Sequence, residues 1–123
     1  GGYEVISAVR GAICVASDTK EAISEAVQKL YVAVLEANDL KEANIAALLI
    51  TQTSDLKALN PATGLRMGKL GSSIALFCMN ELEIEGMMAQ VIRMLFLLKG
   101  DHSNLTPIYL DGAEKLRPDL VSQ

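Results

Sequence analysis

Between Val91 and Leu98 eight residues run in succession, and only Arg93 among them is not apolar. Side chains of an extended chain alternate between its two faces, so Arg93 shares one face with Val91, Leu95 and Leu97, while Ile92, Met94, Phe96 and Leu98 share the other. The pattern predicts a strand over Val91–Lys99, apolar on both faces. Residues 3 to 15 behave alike: Arg10 alternates with Ile6, Ala8, Ala12 and Cys14 on one face, opposite Val5, Val9 and Ile13. A guanidinium keeps its charge, and burying it is tolerable only where an anion or a good acceptor meets it. No acidic residue lies within the 91–98 run.

The remaining pattern predicts the elements between and after these strands. From Thr19 to Asn38 the residues Ile23, Val27, Leu30 and Val34 recur at helical spacing, widened by Tyr31 and Leu35, with Asp18 and Glu21 as a capping pair and Asn38-Asp39 as the end. Residues 45 to 53 form an apolar run between polar turns, a strand parallel to the first through a helical crossover. Asn60-Pro61 opens a short helix, asparagine as cap and proline in the first turn, cut short by Gly64, Gly68 and Gly71 read as turn residues. Residues 73 to 82 form a third strand, and the acidic stretch Glu81, Glu83, Glu85 with Gly86 is a hinge before the strand from Val91. Pro107 to Leu110 is one more short strand. The sum is an α/β (α+β) fold, a mixed sheet with one long and one short helix. One long helix covers one face of such a sheet, so the other face calls for a partner, most simply an identical subunit.

Composition narrows the function. The 123 residues suit a single domain. A net charge of −4 with pI near 4.9 leaves no basic surface for nucleic acid or an anionic membrane. Half the residues are hydrophobic and mean hydropathy is +0.28, yet no apolar stretch approaches the ~18 residues that span a bilayer. Cys14 and Cys78 lack CxxC spacing, and no secretory leader pattern is present, which fits a reducing cytoplasm.

The same inventory restricts the chemistry. A single histidine, His102, in a polar loop and two separated cysteines supply neither a metal ligand set nor a nucleophile with its base. No phosphate-binding glycine pattern appears in a strand-then-helix setting. What remains is Arg10, Arg66, Arg93 and Arg117 with Glu81 and Tyr109, a set suited to holding a compact anion. Each has a plainer role available. Arg66 and Arg117 suit solvated surface positions, and Arg10 or Arg93 could pair with Glu81 or Glu83 across a subunit contact.

The strings VRGAICV, LLITQTSDLKALNPATGLR, CMNELEIEG, VIRMLFL and IYLDGAEKLRPDL, in this order and spacing, resemble the AroH-class chorismate mutases over nearly the whole chain. The resemblance implies a homotrimeric pseudo-α/β-barrel with active sites in clefts between subunits. It implies conversion of chorismate to prephenate, with no cofactor and no metal. Carried over by position, Arg93 would meet the negative charge developing on the ether oxygen. Arg10 would bind a carboxylate beside Tyr109, Glu81 with Cys78 would contact the ring hydroxyl, and Arg66 and Arg117 would close over the cleft. Three positions depart from the family: Asn60 stands where an aromatic residue is usual, Thr63 where lysine or alanine is common, and Phe77 where a small or polar residue is frequent. Asn60 and Phe77 would line the pocket wall. Those departures keep open an alternative, a non-catalytic trimer of the same fold that binds a small carboxylate.

Overall fold

A computed structural model describes residues 5 to 116. Five strands form one unclosed sheet: β1 (Ile6–Cys14), β2 (Ile45–Gln52), β3 (Ala75–Asn80), β4 (Val91–Lys99) and β5 (Ile108–Leu110), in the order β3-β2-β4-β1-β5. Helix α1 (Lys20–Ala37) follows β1, and α2 (Pro61–Met67) lies between β2 and β3. The mixed sheet with one long and one short helix is as the sequence predicts.

The predicted crossover is present in altered form. β1 and β2 point the same way, but each pairs antiparallel with β4, which lies between them. The strand with the longest apolar run takes the centre, where both its edges are hydrogen-bonded, and the two less apolar strands flank it.

Both helices lie on one face. There Val9, Ile13, Leu48, Ile50, Ile92, Met94, Phe96 and Leu98 pack against Ile23, Val27, Leu30, Tyr31 and Val34 of α1. A register shift between Ile45 and Ala47 lets both Ile45 and Leu48 turn toward this core despite their odd spacing. Close approach is bought with glycine: a Cβ at Gly11 would lie 3.0 Å from Leu30 Cδ1 and from Val34 Cγ2. Gly64, expected to be a turn residue, sits inside α2, where a Cβ would lie 3.0 Å from Ser24 Cα. Its missing side chain lets α2 rest on α1.

The cap of α1 also differs from expectation. Thr19, not Asp18, is the N-cap, its hydroxyl accepting from Ala22 N at 3.1 Å. Asp18 instead accepts from the backbone N–H groups of Lys57 and Ala58 at 2.8 and 2.9 Å, and so ties the segment after β2 to the end of β1.

The face opposite the helices is open in the single chain, the side for which the sequence calls for a partner. Arg10 and Arg93 are exposed there, Leu95 and Leu97 are half-buried, and Ile6 and Phe77 are 66% and 62% exposed. No helix among the described residues is long and apolar enough to cross a membrane.

Candidate functional site

The helix-free face carries a hollow of about 280 Å³, lined among others by Arg10, Thr51, Met79, Arg93, Leu95 and Tyr109. Strand register explains the grouping. Arg93 stands opposite Ala12 on β1 and Thr51 on β2, and Ala12 in turn stands beside Tyr109 on β5. Arg10 is two residues from Ala12 and therefore on the same face, diagonal to Arg93. The Tyr109 ring is buried against Ala12, Val91 and Ala113.

Glu81, at the first position past β3, reaches two of the residues that line the hollow, Thr51 and Arg93. Its backbone N–H donates to Gln52 O at 2.9 Å, which places the carboxylate over the sheet. Oε1 accepts the Thr51 hydroxyl at 2.9 Å and lies 3.2 Å from Arg93 Nε. The pairing of Arg93 with Glu81, open from the sequence as a contact across subunits, is made inside one chain. With the Arg93 side chain 50% exposed, such a pair contributes only ~0–1 kcal/mol. Among the described residues, Arg10 and Arg93 line the hollow and Glu81 pairs with Arg93, which leaves one formal positive charge in surplus there, an environment for an anion with apolar walls.

Supports lie at the far end of the acidic stretch. The Asp55 carboxylate accepts from the N–H of Gln90, a non-glycine residue at φ 53°, at 3.0 and 3.2 Å. The buried Thr53 hydroxyl donates to Asp55 and accepts from Val91 N at 3.0 Å. The first residues of β4 are thereby fixed two positions ahead of Arg93.

Asn60, Cys78 and Arg66 lie elsewhere. Asn60 and Cys78 line a second hollow of about 460 Å³ with Gln52, Lys57, Pro61 and Asn80. Asn60 caps α2, its Oδ1 accepting from Ala62 N at 2.8 Å and from the Cys78 thiol at 3.5 Å. Burial pushes the Cys78 thiol up, outweighing the Ala62 backbone N–H and the Arg66 charge, which favour the thiolate. Arg66 is exposed in the last turn of α2. Phe77 faces away from Cys78, on the helix-free side. Cys78 and Glu81, grouped by sequence reasoning, therefore stand on opposite sides of the sheet, as their strand parity requires. Arg117 lies outside the described residues, although Leu116 before it lines the first hollow.

His102 has two partners in its loop: its backbone N–H donates to Ser7 Oγ at 2.8 Å and its Nε2 lies 2.9 Å from Lys99 O, at the opposite end of the β1–β4 ladder from Arg93. Cys14 and Cys78 are both free thiols. Sequence reasoning missed Thr51. The signal was its alternation with Ala47 and Leu49, which sets one hydroxyl on an otherwise apolar face.

Residues 6–120 match the family profile described as chorismate mutase type I. The chain is 36% identical to the chorismate mutase AroH of Thermus thermophilus over 122 residues, covering 96% of this chain and 98% of that protein. It is 30% identical to the chorismate mutase AroH of Bacillus subtilis (strain 168) over 118 residues, 94% and 93% of the two chains. A solved chorismate mutase from Clostridium thermocellum superposes with a TM-score of 0.82 at 36% identity, over 89% of this chain and 98% of that one.

Proposed function

The chain belongs to the chorismate mutase type I family, and from that premise we propose that chorismate rearranges to prephenate in the hollow between Arg10, Arg93 and Tyr109. Its activity is that of a chorismate mutase, a step of aromatic amino acid biosynthesis. We read residues 1 to 123 as one such domain, working in the cytoplasm. The relatives do not favour the non-catalytic alternative.

The reaction breaks a C–O bond and forms a C–C bond within one dianionic molecule, and its chemistry asks for no acid, base or external electron carrier. Catalysis must then come from holding the side arm over the ring and from stabilising the charge that appears on the ether oxygen. A ~10⁶-fold acceleration corresponds to ~8 kcal/mol. In our assignment Arg93 supplies the part that grows toward the transition state, about 3 to 4 kcal/mol by comparison with an oxyanion donor. Arg10 and Tyr109 hold a carboxylate, and Glu81 receives the ring hydroxyl. The observation that carries the assignment is the register that sets Arg93, Arg10 and Tyr109 around one hollow.

Asn60 and Cys78 line a second hollow of the same chain, and Arg66 stands exposed in the last turn of α2. We assign them to the wall and cover supplied by a neighbouring copy in a homotrimer, with the helix-free faces turned inward and the helices outward. The exposed Ile6, Phe77 and Met79 support this arrangement, because an apolar face of this kind is ordinarily buried against another surface. Arg117 keeps the covering role that the family resemblance implies for it.

The test is direct. Purified protein mixed with chorismate should consume it, followed as loss of ultraviolet absorbance. A wild-type protein without turnover overturns the activity, and an active Arg93→Ala variant overturns the site.

A further inference from the structure

We infer that Thr51 is a positioning residue, whose hydroxyl keeps Glu81 from closing onto Arg93 and so keeps that guanidinium available to substrate. The inference rests on the placement of Arg93 in the reaction site.

Carboxylate and guanidinium groups left to themselves favour two parallel N–H···O bonds, a fork that occupies both partners. In this chain their closest approach is side-on, Nε to Oε1 at 3.2 Å, and the same Oε1 accepts the Thr51 hydroxyl at 2.9 Å. Glu81 is held at both ends by consecutive residues of β2: its backbone N–H by Gln52 O, its carboxylate by Thr51. Thr51 has little freedom of its own. Its β-branched side chain has a restricted χ1, and it stands directly opposite Arg93 in the β2–β4 ladder. Two anchors on adjacent positions of an interior strand fix where the carboxylate lies.

Removing the hydroxyl releases Oε1. Arg93 is then the remaining partner for a carboxylate only 16% exposed, and the fork becomes the stable arrangement. A guanidinium so occupied has less to offer the ether oxygen of the transition state, while Arg10 and Tyr109 still hold the ground-state molecule. The loss falls on kcat rather than KM.

The experiment compares Thr51→Val, which keeps the shape and the β-branch, with Thr51→Ser, which keeps the hydroxyl, alongside wild type and Arg93→Ala. The expected result is a fall in kcat of about tenfold for Thr51→Val with KM changed less than about threefold, matching the loss of one hydrogen bond to a charged group. Thr51→Ser should recover most of that kcat. Should Thr51→Val fail to fold, Thr51→Ala against Thr51→Ser provides the same contrast. Equal kcat with and without the hydroxyl, or a serine variant as slow as the hydroxyl-free one, overturns the inference. If that happens while Arg93→Ala is inactive, the reaction site stands and the role of Thr51 alone is lost.

Discussion

Arg10 and Arg93 sit diagonally across the β1–β4 ladder on one face, with Ala12 directly opposite Arg93 and Leu95 directly opposite Arg10. Small and apolar partners leave both guanidinium groups standing over the hollow, and among the described residues Glu81 alone pairs with one of them. Two like charges this near each other repel, so the arrangement is at its most favourable when an anion lies between them. Replacing Arg93 by alanine should lower kcat by about 10²- to 10³-fold, the cost of an oxyanion donor. Arg93→Lys should recover little, since a point charge on a flexible stem does not reproduce the planar donor set. Steady-state kinetics with chorismate decide both.

Arg66 should behave differently. It is exposed in the last turn of α2, away from the Arg93 hollow, and we assign it to binding across the subunit contact. Interactions made equally in ground and transition state raise KM when lost and leave kcat nearly unchanged. Arg66→Ala should therefore raise KM by about tenfold or more, the worth of one charge-assisted contact. A drop confined to kcat would place Arg66 at the reacting atoms instead.

Gly64 sets helix propensity against packing. Alanine in its place gains about 1 kcal/mol of helix propensity. The new Cβ, however, would lie 3.0 Å from the backbone Cα of Ser24 and from Val27 Cγ1, and Gln28 Nε2 donates to Gly64 O at 2.8 Å across the same contact. A backbone atom cannot rotate aside, and overpacking costs about 1–3 kcal/mol. Gly64→Ala should lower Tm despite the better helix former. A raised Tm would show that α2 can shift without loss.

These contacts mark where the sequence was readable. Alternation around Arg10 and Arg93 located both strands and the shared face, because a charge in an apolar run has few places to go. That β4 lies between β1 and β2 was not readable, since strand order follows from competition among strands for the centre and not from any one segment. Asp18 looked like a helix cap because local pattern cannot show Lys57 and Ala58 arriving from 39 and 40 residues away. Thr51 escaped notice for the opposite reason: a threonine in a strand is unremarkable until a carboxylate is found beside it.

Tyr31 should make stability fall at high pH. It is 1% exposed, its ring is tilted against Phe96 at 5.8 Å, and its hydroxyl has no hydrogen-bond partner among the described residues. Its pKa is pushed up to about 12, chiefly by burial and then by the negative charge of Glu42. The unfolded chain gives up this proton near pH 10 and the folded chain does not. The contribution is therefore intact below about pH 10 and is lost between about pH 10 and 12, at about 1.4 kcal/mol per pH unit. Tyr31→Phe should remove that loss and be neutral or slightly stabilising at pH 8, because it deletes an unbonded buried hydroxyl. Denaturant midpoints for both proteins at pH 8 and pH 11 give the answer. Parallel curves would contradict it.

Phe77 tests the assembly. It is 62% exposed on an edge strand of the helix-free face, next to Met79 and across the sheet plane from Cys78. A large aromatic ring so placed in one chain suits burial against another copy, and a carboxylate there would have to be desolvated without a partner. Light scattering should give the wild-type protein three times the 13.2 kDa of the chain, and Phe77→Asp should shift the mass toward one. Activity should fall with the mass, since Arg66 and Asn60 would no longer reach the hollow that holds Arg93. Arg93→Ala and Arg66→Ala subunits mixed and refolded together should then regain turnover at low chorismate, as some interfaces combine an intact Arg93 from one copy with an intact Arg66 from the next. A fully active monomer would show instead that one chain completes its own site.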